Sequence, residues 1–319
     1  MGDYRSYHYK RRPDRYRPKK KKGPIVKALL LGLLLFLVFV AGTTAYVVLD
    51  TYDFSLKAAF SDLFNKGKKS EEEPRGEEQP QGEATFLTAI TANREEKVYA
   101  FVIIRADLGK QSFRTCALPP QTLVQGNLKE ETMEEMLWGS GMSAVCEAVE
   151  KTYGIPIDRY VRATQGGFEK LVDQLGGVYF HVEKDLVYNT DALSMHVQGG
   201  SQTLTGAAAL HVMRYPEWEQ GKMYQYQIQS QVIAALLDQN INEKNAEKGD
   251  ALFNNLINLV QSDISIADYR ANAEELKKYA VLQEKSAAQI VTAQGEFIKT
   301  EEGKQVFRMT GDLRSALLS

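Results

Sequence analysis

The feature that most constrains the fold is a succession of short apolar segments, in the middle of the chain, that change period at glycine residues. Tyr160-Val161 and the stretch VYFHV read as strands, whereas Gly167–Leu175 has the spacing of a helix. Gly154 suits the C-cap of a preceding helix, and Gly176-Gly177 suits a turn into the next strand. Strand, helix and strand in succession predict an α/β domain.

The same patterning extends to both sides of these segments. We expect FLTAI and VYAFVIIR to be buried strands, ADLGKQ to be a hairpin turn and SFRTCALPP to be the returning strand. Residues 184–203 read as a long loop. The remaining apolar periodicity predicts helices over 129–153 (one or two), 206–213, 225–237, 252–260 and 266–279, and a strand pair around 296–308. The expected fold is therefore α/β, with a central mixed sheet flanked by helices.

A run of 22 residues without a charge, Ala28 to Leu49, precedes this domain. At about 1.5 Å per residue, such a run can cross a hydrocarbon layer of roughly 30 Å. It ends in Tyr-Val-Val-Leu, whereas a cleaved signal peptide ends in small residues. We predict one transmembrane helix over residues 25–49. The basic tail, residues 1–24, would remain in the cytoplasm and the rest of the chain would lie outside.

Two further segments connect the span to the domain. Residues 52–66 carry apolar side chains in a short amphipathic pattern, which predicts a helical stalk at the membrane surface. Residues 66–84 are charged and rich in proline and glycine, which predicts a flexible tether. The expected layout is a cytoplasmic tail (1–24), a membrane helix (25–49), a stalk and linker (50–84) and an extracytoplasmic domain (85–319).

Charge and cysteine usage limit the possible partners. The chain beyond Lys27 has 28 basic and 39 acidic side chains, a balance that argues against nucleic acid binding by the outer domain. The tail interleaves bases with tyrosines and could contact nucleic acid, but we interpret it instead as a topology signal that also touches anionic lipid. Both Cys116 and Cys146 belong to the predicted outer domain, where they form either a disulfide or two buried thiols.

Three motifs carry a resemblance to a known family. They are GIPIDRYVRATQGGFEKLVDQLGGVYFHV, LTGAAALHVMRY and QIQSQVIAALL. Together they resemble the LytR-CpsA-Psr family of cell-envelope proteins. The resemblance implies an extracytoplasmic α/β domain with a long apolar pocket for a polyprenyl chain. It also implies transfer of a glycopolymer from a polyprenyl-pyrophosphate carrier to peptidoglycan, with arginines on the pyrophosphate and aspartates on Mg²⁺.

Most of the charged positions implied by the resemblance are substituted here. Ala92-Asn93-Arg94 stands where the family has Asp-Ser-Arg, and Tyr99 stands at its second acid. Ala117-Leu118-Pro119-Pro120-Gln121 stands at the family's S-I-P-R-D motif. In the last motif, Arg214, Gly221 and Gln229 are retained, whereas Pro216, Lys222, Gln225 and Ile228 replace charged residues. Loss of one transition-state donor costs about 100- to 1,000-fold in rate, so these losses predict no useful turnover.

The candidate site residues follow from these positions. Arg214, Gln229 and Arg94 are candidates for binding an anionic headgroup, and we assign no catalytic residue and no metal ligand. No cofactor is expected unless the chain is an active transferase, in which case Mg²⁺ is required. Other charged residues that could replace the missing groups are Lys222, Asp185, Asp191, Glu217 and Glu219. The histidines lack a short metal-ligand spacing, and Ser140 lacks the setting of a nucleophile.

Three functional hypotheses result. The first is a membrane-anchored protein of envelope assembly that binds a polyprenyl lipid or lipid-linked glycan without transferring it, or that acts as a scaffold for other cell-envelope proteins. The second is an active phosphotransferase with relocated charges. The third is a regulator that uses the basic tail.

Overall fold

The computed structural model describes residues 82–94, 96–126, 129–190, 193–282 and 287–319. The predicted tail, membrane helix and stalk lie outside the described residues. Contacts divide the chain into Met1–Asp50 and Thr51–Ser319, and every described residue belongs to the second unit. None of the helices in the described ranges has the length and apolar character needed to cross a membrane.

The described part of the chain alternates strands and helices. The strands are β1 (Glu83–Thr91), β2 (Val98–Asp107), β3 (Ser112–Leu118), β4 (Leu123–Gln125), β5 (Glu130–Thr132), β6 (Arg159–Thr164), β7 (Val178–Val182), β8 (Leu186–Asn189), β9 (Ser194–Val197), β10 (Gly200–Leu204), β11 (Gln261–Ser262), β12 (Gln289–Ile290), β13 (Gly295–Lys299) and β14 (Gln305–Met309). The helices are α1 (Met133–Ser140), α2 (Met142–Tyr153), α3 (Gln165–Leu175), α4 (Gly206–Arg214), α5 (Lys222–Asn240), α6 (Glu243–Ile257), α7 (Ile266–Ala280) and α8 (Leu313–Leu318).

The central sheet is mixed, as predicted. Its strand order is β11-β6-β1-β2-β3-β12. The β1–β2–β3 meander is antiparallel, whereas β6 pairs with β1 and β12 pairs with β3 in parallel. Smaller two-stranded sheets are formed by β7 with β10, β8 with β9, β4 with β5, and β13 with β14.

Both faces of the sheet are buried, which explains why β2 is apolar almost throughout. Ala100 and Val102 pack into one core with α3, α4 and α5. Phe101 and Ile103 face the opposite core, which contains α1, α2 and α8. Because side chains alternate between the two faces of a strand, a strand between two helical layers needs apolar residues at successive positions.

The helix boundaries follow local signals. Thr132 and Glu135 form a capping box at the start of α1, and Gly154 ends α2 in the left-handed region with φ of 65°, as its sequence position predicted. Residues 129–153 form two helices because Gly141, with φ of 88°, separates α1 from α2. The predicted strand pair near residues 296–308 is confirmed as β13 and β14.

Two expectations were wrong. The predicted loop over 184–203 contains the β8–β9 hairpin and β10, because Leu186, Met195 and Val197 alternate with exposed residues and are buried in the core. The helix expected over residues 252–260 is the part of α6 after a kink at Gly249; α6 as a whole begins nine residues earlier and ends at Ile257. In the structure, Cys116 and Cys146 are buried thiols and are not joined in a disulfide.

Candidate functional site

A cavity of about 270 Å³ gathers several of the positions that the sequence motifs singled out. It lies where the start of β2, the connection after β3, the β8–β9 hairpin, the end of α4 and the start of α5 meet. We call it the Arg214 cavity. Its lining residues are Lys97, Val98, Tyr99, Pro120, Gln121, Tyr188, Thr190, Leu193, Arg214, Pro216, Gln225 and Tyr226.

Tyr99 is turned toward the cavity by an irregularity in the sheet. Thr91 pairs with Val98 and Ile90 pairs with Ala100, so Tyr99 is an extra residue on β2, which forms a β-bulge. A bulge changes the direction in which a side chain points, and bulges are frequent near functional sites. The Tyr99 hydroxyl lies 3.4 Å from Gln165 Oε1, to which it donates a hydrogen bond.

Arg214 stacks on Tyr99. The centre of its guanidinium group is 3.8 Å from the centroid of the Tyr99 ring, which is a cation–π contact. Tyr99 stands where the resemblance implies an acid, so an aromatic face replaces a carboxylate beside the retained arginine. This contact fixes the plane of the guanidinium group while leaving the arginine among the lining residues of the cavity.

His211 lies one helical turn before Arg214 on α4. Burial lowers the pKa of His211, and the nearby Arg214 lowers it further, whereas Glu169 acts in the opposite direction. The imidazole is therefore neutral near pH 7. Arg214 consequently supplies the positive charge of this turn of α4.

Gln229 is fully buried on α5 and is not one of the lining residues. Its side-chain amide donates to the carbonyl of Tyr99 at 3.0 Å and to the carbonyl of Met213 at 3.1 Å. These two bonds connect α5 to the bulge of β2 and to the end of α4. Gln229 therefore holds Tyr99 and the residue before Arg214 in place, and its N–H groups are directed at protein carbonyls.

The connection between α4 and α5 is also fixed by packing. Tyr215 and Trp218 are buried and meet edge to face, with ring centroids 5.2 Å apart. Gln225, at the start of α5, donates to the carbonyl of Met213 at 3.2 Å. Pro216 and Arg214 are thus presented to the cavity by a rigid connection.

The cavity offers hydrogen-bond acceptors as well as donors. The side-chain oxygen of Gln121 is buried and has no hydrogen-bond partner among the described protein atoms. Leaving a buried acceptor unsatisfied costs about 1–3 kcal/mol, and a ligand hydroxyl would recover this only if the Gln121 side chain turned its buried oxygen toward the cavity. Arg214, Lys97 and Thr190 supply donors. Sugar hydroxyls need partners of both kinds, whereas a phosphate needs donors only.

The charge of the cavity is positive. Lys97 and Arg214 are its charged lining residues, and no carboxylate of the described residues lines it. Across the described part of the chain, no group of three or more His, Cys, Asp or Glu side chains is placed to hold a metal ion. Mg²⁺ requires carboxylate or other oxygen ligands, so the described lining residues do not fit a magnesium site.

The residues proposed to replace missing charges have other surroundings. Lys222 lies 4.0 Å from the centroid of the Phe297 ring, and Glu219 forms an ion pair of 2.7 Å with Lys184. Asp185 accepts a hydrogen bond from the backbone N–H of Gly199, and Glu217 is exposed. None of these described residues lines the Arg214 cavity. Asp191 is outside the described residues.

The structure places the three headgroup candidates in different environments. Arg214 lines the cavity and Gln229 supports it from the core. Arg94 is exposed in the β1–β2 connection and does not line the cavity. Ile228, aligned with a family arginine, is buried in the core.

Sequence reasoning missed the contribution of the β8–β9 hairpin. Tyr188, Thr190 and Leu193 form one side of the cavity, although their segment was expected to be a loop. The alternation of apolar and polar residues over 186–197 was the available signal. It extends over only four residues in each strand, which is short for a period-2 pattern.

Comparison with known proteins identifies the family. The LytR_cpsA_psr family model matches residues 94–315, a range that includes nearly all of the described elements. The chain belongs to the LytR-CpsA-Psr family.

Several of the curated relatives carry a transferase name. One is the polyisoprenyl-teichoic acid–peptidoglycan teichoic acid transferase TagU of Bacillus cereus, which is 25% identical over 65% of this chain and 69% of its own length. The protein of the same name from Halalkalibacterium halodurans is 24% identical over 83% of this chain and 82% of its own length.

Solved structures of similar proteins agree with the fold. A crystal structure from Eubacterium siraeum has a TM-score of 0.65 at 17% identity and covers 77% of this chain and 94% of that one. A structure of TagT bound to LI-WTA has a TM-score of 0.59 at 16% identity and covers 77% of this chain and 94% of that one. The crystal structure of TagT from Bacillus subtilis is also similar. At these identities the similarity establishes the LytR-CpsA-Psr α/β fold.

Proposed function

We propose that the Arg214 cavity binds the headgroup and first sugar of a polyprenyl-linked glycopolymer, and that the chain does not transfer it. In this proposal the protein is anchored in the membrane and works outside it, as a binder or as a scaffold for active relatives. The observation that carries the proposal is the composition of the cavity, which keeps Arg214 and Lys97 but has no carboxylate among its described lining residues.

The chemistry of transfer explains the second half of the proposal. Cleavage of a pyrophosphate builds negative charge on several oxygens, which arginine forks and a divalent cation stabilise. Here Tyr99, Pro216 and Gln225 occupy positions where the family resemblance implies charged groups. A ring, a proline and an amide do not neutralise that charge, so stabilisation of the transition state is lost. Arg214 and Lys97 still provide binding energy for the ground-state ligand.

The dimensions of the cavity support a headgroup and sugar as its contents. Pockets for small ligands have volumes of roughly 300–1,000 Å³, and about 270 Å³ lies just below this range. A polyprenyl chain does not fit in that volume. The hydrocarbon would therefore lie outside the cavity, while the phosphate meets Arg214 and the sugar hydroxyls meet Thr190 and, once its side chain turns, Gln121.

Binding can be tested with the purified full chain and a polyprenyl-pyrophosphate-linked disaccharide in detergent. Arg214→Gln should weaken binding by about tenfold or more, since hydrogen bonds to charged groups contribute roughly 1.5–3 kcal/mol. Arg308→Gln is the matched control because Arg308 is exposed on β14 and does not line the cavity. Equal affinities for the two variants would refute the assignment of the cavity.

The active-transferase alternative is favoured by the names of the TagU relatives, and the same material tests it. Our proposal expects that Mg²⁺ does not increase release of polyprenyl phosphate above a control without protein. Release that depends on both Mg²⁺ and Arg214 would show that the chain is a transferase and would overturn the non-catalytic half of the proposal. The binding result would stand independently.

A further inference from the structure

A second apolar region lies away from the Arg214 cavity, between α6, α7 and the start of the sheet. It consists of two adjoining cavities of about 190 Å³ each. The first, which we call the entry cavity, is lined by Gly82, Glu83 and Ala84 together with residues of β2, β3 and α7. The second, the helical cavity, is lined almost entirely by α6 and α7.

The two cavities share a wall. Phe253 of α6 and Tyr269 of α7 line both, and their rings stack with centroids 5.0 Å apart and planes 19° from parallel. Leu276 lines both as well. Because this stacked pair stands between them, the region accepts two separate apolar side chains more readily than one continuous hydrocarbon chain.

Helix α6 has an apolar face that the described part of the domain covers only in part, since its side chains are half-buried. Leu252, Phe253, Leu256 and Ile257 recur at helical spacing, yet α6 has no buried residue. An amphipathic helix is normally stabilised by burying such a face. The half-burial of this face leaves room for a further apolar element to pack on α6.

The point where the described chain begins identifies a candidate. Gly82, the first described residue, lines the entry cavity, and its N–H donates to Asn272 Oδ1 of α7 at 3.1 Å. The preceding chain must therefore approach the domain at the edge of this region. Residues 67–81 would separate Gly82 from the amphipathic segment 52–66 by an r.m.s. distance of about 20 Å if they behave as a flexible linker.

We propose that segment 52–66 docks as a helix on α6 and α7, with Phe60 and Phe64 in the two cavities. These two residues are one helical turn apart, which places their Cβ atoms about 5–6 Å from each other on one face. A short linker gives the segment an effective concentration on the order of millimolar, so modest affinity suffices. Docking would hold the domain close to the membrane at a defined orientation, whatever the Arg214 cavity binds.

Photo-crosslinking in the full chain, reconstituted in lipid nanodiscs, tests this docking. The photoreactive residue p-benzoylphenylalanine is placed at position 60 in one sample and at position 70 in another. Ser70 is nearer to Gly82 along the chain, so crosslinks that reflect tethering alone would be at least as frequent from position 70. Docking predicts that position 60 crosslinks to peptides from residues 243–280 about tenfold more than position 70 does.

A pair of matched substitutions locates the contact. Ala273→Trp fills the helical cavity, whereas Ala271→Trp adds the same bulk at an exposed position on the same helix. We expect Ala273→Trp to reduce the crosslink from position 60 by about fivefold or more, a loss of roughly 1 kcal/mol, and Ala271→Trp to leave it unchanged. If Ala273→Trp lowers the unfolding temperature of the domain, Ala246→Trp, which fills the same cavity from α6, replaces it.

The remaining outcomes each contradict the proposal. Crosslinks from position 60 to lipid would mean that the segment lies in the membrane surface. Crosslinks to a second copy would mean that the apolar face of α6 is an interface between chains. Yields that do not respond to filling the helical cavity would mean that the cavity is not the docking site.

Discussion

Replacing Gln229 with leucine should destabilise the domain, because Gln229 ties three elements together in a water-free environment. The substitution removes two hydrogen bonds, to the carbonyls of Tyr99 and Met213. Each such bond contributes about 1 kcal/mol, so their loss costs about 2 kcal/mol. The side-chain oxygen of Gln229 has no partner in the described structure, and removing it offsets part of that cost. The expected net loss is about 1–2 kcal/mol.

Urea unfolding measures this loss, provided that the slope of the free energy against urea concentration is unchanged. Gln227→Leu is the matched control, since Gln227 is on the same helix but only half-buried, and donates to Thr292 near solvent. Its cost should be below about 0.5 kcal/mol. Equal losses for the two variants, or no loss for Gln229→Leu, would show that Gln229 does not hold the bulge and α4 together.

Three further predictions concern other parts of the domain. Burial raises the pKa of Cys116 to about 12, so a maleimide at pH 8 should react with it at least about a hundredfold more slowly in the native than in the urea-unfolded chain. The ion-paired Lys304 lowers the pKa of Glu135 from 4.5 to about 2, so the stability that this pair contributes is present above pH 4.5 and is lost as the pH falls toward 2. Because the pair is partly exposed, Glu135→Gln should remove only about 0.5–1 kcal/mol of this pH-dependent stability, which acid titration of the free energy of unfolding measures. Gly206→Ala should lower the free energy of unfolding in urea by about 3 kcal/mol or more, because a Cβ there would lie 2.1 Å from the carbonyl oxygen of Glu169. Gly139→Ala is the control: a Cβ at this position of α1 would meet open space, so the substitution should stabilise the domain by about 0.5–1 kcal/mol.

The fold could be predicted where local signals are strong. Gly154 ends a helix because only a residue without a Cβ adopts its left-handed conformation easily, and that requirement is visible in the sequence. The apolar run of β2 indicated a strand buried on both faces. The hairpin β8–β9 was not predicted, because its burial depends on contacts with a core built from distant helices.

The site was only partly predictable for the same reason. Motif positions indicated Arg214, and the structure places it in the cavity together with Tyr99, Gln121, Pro216 and Gln225. The motif positions did not show that Arg214 and Gln229 have different roles. In the structure Arg214 lines the cavity, whereas Gln229 supports it from the core. That difference depends on which face of a helix meets the sheet, a property of the packed structure.

What the amino-acid sequence determined by itself is the order of most strands and helices, the family, and which charged groups are replaced, because periodicity, glycine positions and residue identity are local properties. Only the tertiary structure decided that a β-bulge places Tyr99 under Arg214, that Gln121 lines the same cavity while its side-chain oxygen is buried without a partner, and that the apolar face of α6 is only half-buried. The contact between Tyr99 and Arg214 joins residues more than a hundred positions apart, and side-chain contacts at that separation are set by how the layers pack.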